Sequence, residues 1–117
     1  MDTQTIERTA LSNLIYNEDY ARKVLPFIKG NYFEVKEEQI IFEEIFNFVD
    51  KYRKIPTQTS LEIEVGERKD LTEIEYKKVV DIIQTLNPVE VDFNWLIDTT
   101  EKFCKDKAIY NAIVDGI

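Results

Sequence analysis

Histidine is missing from all 117 residues. Its absence removes the commonest general base, the commonest zinc and iron ligand, and every serine or cysteine triad built on imidazole. Cysteine occurs once, at Cys104, so no internal disulfide can form, and a reducing compartment, the cytoplasm, is the expected setting. Three glycines and three prolines are too few for the frequent turns of an all-β domain. Long apolar runs are absent too: Ile40-Ile41-Phe42 and Ala112-Ile113-Val114 fall far short of the ~20 residues of a membrane span. The first residues, Met1-Asp2-Thr3-Gln4-Thr5, lack the basic start of a signal peptide. Positive charge is scarce: 15 Lys and Arg stand against 23 Asp and Glu, a net charge of −8. The average field therefore repels phosphate backbones and anionic membranes, and direct nucleic-acid binding is not expected. The densest basic cluster, Lys51-Tyr52-Arg53-Lys54, runs straight into a turn.

What remains is 44 % apolar and 32 % charged, the profile of one all-α domain. A chain of this size removes roughly 65 % of its unfolded surface from water without metal or disulfide staples. Helix formers dominate between the few breakers, and the pattern predicts a compact bundle of about five to six helices. The first spans about 5–16, with Ile6, Ala10, Leu14 and Ile15 on one stripe and Thr3 or Thr5 as cap. Asn17 opens a second, whose Glu18 and Asp19 suit the positive end of the helix dipole and which Pro26 limits. The third, about 35–53, carries Phe42, Ile45, Phe46 and Val49 at i, i+3, i+4 and i+7, widened by Ile41, Phe48 and Tyr52. So broad an apolar arc predicts a central helix with neighbours on two flanks. Ile55-Pro56 should end it.

Leu61-Glu62-Ile63-Glu64-Val65 alternates like a half-buried strand, but no second alternating run exists to pair with it, so a short helix over about 59–67 is expected. Thr72 and Glu75 form a capping box, Leu71 and Tyr76 a hydrophobic staple, and Tyr76, Val79, Val80 and Ile83 a buried stripe that stops at Asn87-Pro88. The last helix opens at Asp92, flanked by Val91 and Leu96. Leu96, Phe103, Tyr110 and Ile117 then recur every seventh residue, the spacing of a helix that packs along another. The boundary is drawn between a globular part, 1–90, and a C-terminal helix, 91–117, leading toward a hairpin or linker; the apolar end at Ile117 suggests a cut within a longer helix.

Little chemistry is legible. The adjacent carboxylates Glu37-Glu38, Glu43-Glu44 and Glu62/Glu64 diverge by about 100° per residue on a helix and read as solvated faces. Neither a calcium loop nor G-x-x-x-x-G-K-[ST] is present, so no metal, cofactor or catalytic residue is expected in this chain. Cys104, near Lys102, Lys105 and Lys107, reads first as a core residue. Trp95 lies off the stripe of Leu96, Thr100 and Phe103 and is a candidate partner surface.

The order of elements resembles the N-terminal domain of DnaB-type replicative helicases, and within that family the T-even-type phage branch. The resemblance is carried by Ile6-Glu7-Arg8-Thr9-Ala10-Leu11-Ser12-Asn13-Leu14-Ile15-Tyr16-Asn17, Tyr32-Phe33, Gln39-Ile40-Ile41-Phe42-Glu43-Glu44-Ile45, Ile55-Pro56-Thr57, Thr72-Glu73-Ile74-Glu75-Tyr76, Trp95-Leu96-Ile97-Asp98-Thr99-Thr100-Glu101-Lys102 and Tyr110-Asn111-Ala112. It implies a collar domain of a hexameric ring, with self-association, primase and a helicase loader as partners, in a phage-infected cell. ATP and magnesium, and 5'-3' unwinding, would belong to a motor domain beyond this chain. The last helix would be the first arm of a helical hairpin, with Trp95, Phe103, Tyr110 and Ile117 as the self-association or primase-facing surface. A free-standing small acidic adaptor or inhibitor is the competing reading.

Overall fold

The computed structural model describes residues 3–116, with the side chains of Thr3 and Gln4 left aside. Six α-helices and no strand occur among the described residues: α1 (Thr3–Tyr16), α2 (Glu18–Val24), α3 (Lys36–Tyr52), α4 (Gln58–Gly66), α5 (Glu73–Thr85) and α6 (Phe93–Asp115), with a single 3-10 turn, Gly30–Tyr32, before α3. α1 begins before Thr5, which lies inside the helix and does not cap it.

Caps fix most of the starts. The Asn17 side chain accepts from the Tyr20 N–H at 3.1 Å, and Asp92 accepts from Trp95 N–H at 2.9 Å. At α5, Thr72 Oγ1 accepts from the Glu75 N–H while Glu75 accepts from the Thr72 N–H, both at 3.1 Å. The period-2 segment is helical because Thr57 and Ser60 close a reciprocal capping box at the start of α4. Leu61 and Val65 then fall at i and i+4 on the buried side, and Ile63 faces solvent. Replacing Thr72 by alanine should cost about 1 kcal/mol, read as a lower urea midpoint at unchanged m value; an unchanged midpoint would show that the cap adds nothing.

α3 is the central element, packed against α1, α4, α5 and the 3-10 turn. Ile41, Phe42 and Ile45 are buried, but Phe46 and Tyr52 are surface residues, 45 % and 48 % exposed, so the apolar arc inferred from sequence is wider than the buried one. The Phe48 ring packs at a tilt against Tyr52, 4.8 Å between centroids. The helix ends before Ile55-Pro56, at Arg53, whose left-handed backbone (φ 59°, ψ 28°) donates its N–H to the Val49 carbonyl. On α5, Val79 and Ile83 are buried while Tyr76 lies at the surface, its ring over Gly66. Arg68 ties the α4–α5 connection to α3 through Glu44 at 3.0 Å and Glu43 at 3.3 Å, and holds Asp70 at 2.8 Å; these carboxylates keep its guanidinium protonated. The first half of α6 closes the core against α1, α2 and the 3-10 turn. No described helix is long and apolar enough to cross a membrane.

Candidate protein interface

α6 changes character halfway along. In its first half Leu96, Ile97, Thr100, Phe103 and Cys104 are buried. Thr100 Oγ1 donates to the Leu96 carbonyl at 2.8 Å, which leaves it to accept from the Tyr20 hydroxyl, also at 2.8 Å. Burial raises the Tyr20 pKa, so the hydroxyl stays protonated as that bond requires. The Phe103 ring lies 6.2 Å from Phe33, which stacks on Phe42 at 5.5 Å. Cys104 is buried as well, and burial, with Glu101 nearby, pushes its thiol up to about 12. The neighbouring lysines do not lower it, and it is no nucleophile at neutral pH.

In the second half the helix is held by two contacts to the turn before α3. Lys107 pairs with Glu34, and Asn111 Nδ2 donates to the Asn31 carbonyl at 3.2 Å. Between and beyond them Ile109, Tyr110, Ile113 and Val114 are 51–62 % exposed. Their spacing, i, i+1, i+4 and i+5, makes one outward apolar stripe, with the Lys107 ammonium 6.0 Å from the Tyr110 ring centroid. At about 100° per residue Ile109 and Ile113 are turned by more than a quarter-turn from the face that Leu96, Thr100 and Lys107 present to the core, Tyr110 by about 60°, while Val114 shares the azimuth of Leu96. Trp95, 40 % exposed, lies eighteen positions before Ile113. Eighteen residues are about five turns, so the two share an azimuth about 27 Å apart along the axis.

The four sequence-derived positions are therefore not one surface. Phe103 is buried in the core of this chain; Trp95 and Tyr110 are exposed; Ile117 lies outside the described residues. A sevenfold series drifts by only about 20° per heptad on a straight helix; what separates Leu96 and Phe103 from Tyr110 is that the helix projects past its packed half, where even Val114, at the azimuth of Leu96, is 51 % exposed. Ile109, Ile113 and Val114 were missed, although their i, i+4 and i+5 spacing was present in the sequence.

No group of three or more Cys, Asp or Glu able to hold a metal ion occurs among the described residues. An open groove of about 550 Å³ between α1 and the 85–89 segment is lined by Arg8, Ser12, Asn87 and threonines, and its one charged side chain is engaged by Glu38.

Residues 2–95 match the family model of the DnaB-like helicase N-terminal domain. The chain is also similar to a DnaB-like replicative helicase of Enterobacteria phage T4, 33 % identical over 102 residues, which cover 87 % of this chain and 21 % of that protein. The chain thus spans about a fifth of the relative it matches.

Proposed function

This chain belongs to the DnaB-like helicase N-terminal domain family, and from that premise we propose that it is the collar domain of a hexameric replicative helicase. On this reading it works by contact alone, joining subunits of the ring and receiving primase or a helicase loader in the host cytoplasm during DNA replication. ATP and magnesium would be held by a motor domain elsewhere in the parent polypeptide, an ATP-dependent 5'-3' DNA helicase. The observation that carries the reading is the outward stripe of Ile109, Tyr110, Ile113 and Val114 on a helix whose base is fixed to the domain. Apolar side chains spaced for helix packing and left in water mark a surface that another helix covers. That helix is read as the second arm of a hairpin or its counterpart in a neighbouring subunit. The charge of −8 agrees with a domain that leaves DNA to the motor.

Sequencing the source gene beyond codon 117 tests the reading. The expected result is a continuing frame with G-x-x-x-x-G-K-[ST] after a strand-like segment. A stop codon directly after Ile117 would overturn it in favour of a small adaptor.

A further inference from the structure

Two carboxyl groups lie in the core, on different helices. Glu7 of α1 is 1 % exposed and Glu38 of α3 is fully buried. Glu7 Oε1 accepts from the Glu34 N–H at 3.0 Å, and Glu38 Oε2 accepts from Arg8 Nε. The remaining oxygens, Glu7 Oε2 and Glu38 Oε1, are buried with no donor, although the two side chains are within reach of each other. Two ionised carboxylates with orphaned oxygens are costly in such a place. A single proton between them turns one oxygen into a donor and satisfies both. The charged groups around the pair are Arg8 on the far oxygen of Glu38, Glu34 from the turn and, one step out, Lys107 of α6 on the Glu34 carboxylate.

We propose that Glu7 and Glu38 share one proton, held between Glu7 Oε2 and Glu38 Oε1, and that this proton latches the turn before α3, and with it the base of the projecting half of α6, onto α1. The connection is continuous: Glu7 holds the Glu34 backbone, the Glu34 side chain holds Lys107, and Asn31 in the same turn holds Asn111. When the pair loses its proton to solvent, two negative charges face each other beneath that turn. Burial, followed by the proximity of Glu38, lifts Glu7 from 4.5 to about 7, against the opposing bond from the Glu34 N–H, so the latch loosens across neutrality. The inference stands on these contacts and does not depend on the collar reading.

The sign follows from linkage. A carboxyl whose folded pKa is raised binds its proton more tightly in the native state, so its contribution is full below about 4.5 and is lost as pH rises through about 7. Glu7→Gln reproduces the protonated form: its carbonyl accepts from the Glu34 N–H and its amide donates to Glu38 at every pH. The ratio of folding constants, Glu7→Gln over wild type, is expected to rise by up to tenfold per pH unit between pH 5 and 7 and then level off. A pH-independent ratio would overturn the latch. Carbon-13 carboxyl shifts of the wild-type chain decide the matter should the variant fail to fold: Glu7 should titrate near pH 7, and a midpoint at 4–5 would refute the shared proton. Millimolar magnesium or calcium should leave that midpoint in place; a marked fall would make the pair a cation seat instead. Deuterium exchange at the amides of Glu34 and 107–114 should accelerate above pH 7 beyond the ordinary base-catalysed trend. Release of Glu34 without 107–114 would overturn the coupling to α6.

Discussion

Replacing Phe33 by alanine is expected to cost about 3–5 kcal/mol, the range for deleting a buried aromatic ring. Phe33 is 1 % exposed and sits where the 3-10 turn gives way to α3. Its ring contacts Phe42 of α3 and Phe103 of α6 and so joins the two helices. Its carbonyl also accepts from Gln39 Nε2 at 2.7 Å, which holds the backbone in place and prevents the site from collapsing around a smaller side chain. Against a total stability of about 5–15 kcal/mol, the loss should lower the melting temperature by roughly 10–25 °C. Phe46→Ala is the control. That residue is nearly half exposed and should cost no more than about 1 kcal/mol. Urea unfolding of both variants gives the comparison, and a Phe33 penalty as small as that of Phe46 would show that α3 and α6 do not meet over this ring.

The two phenylalanines also mark how far the sequence can be read. Helix starts with Thr72, Asn17 and Asp92 were legible because a cap is local chemistry: one oxygen, one N–H, three residues apart. α4 was harder because its box uses Ser60 instead of Glu or Gln at the third position, and its alternating residues imitate a strand. Phe46 illustrates a second limit: periodicity names an apolar arc, and only the neighbouring helices decide how much of it is covered. Pairing across the chain was invisible. Glu38 read as half of an adjacent solvated pair, Glu37-Glu38, while its actual neighbour, Glu7, is thirty-one positions away on another helix. The sevenfold series misled because it crosses from the packed half of α6 to the projecting half: Leu96 and Phe103 are covered by the domain, and Tyr110 is not. The family resemblance was legible because it rests on those same core and capping positions.

On the collar reading, Tyr110→Glu combined with Ile113→Lys should abolish subunit association through α6. Both residues are more than 60 % exposed in this chain, so the substitutions remove no core contact. They also suit the helix: glutamate at 110 lies three residues after Lys107 and three before the new lysine, and a cation in the last turn complements the helix dipole. Net charge is unchanged. The 117-residue variant should therefore keep its helical circular dichroism and its melting temperature to within a few degrees. In the polypeptide that continues past residue 117 the same pair would place two charges inside a helix–helix seam. Truncating a central aromatic anchor alone costs about 2 kcal/mol or more, and burying unpaired charge adds to it, so association should weaken at least a hundredfold. Sedimentation velocity would then show a ring-sized species for the wild type and a monomer for the variant. An intact ring would remove the stripe from the assembly surface. Phe103→Glu should instead unfold the domain, because its ring is buried against Phe33. A folded but monomeric Phe103→Glu polypeptide would return that residue to the interface from which its burial removes it.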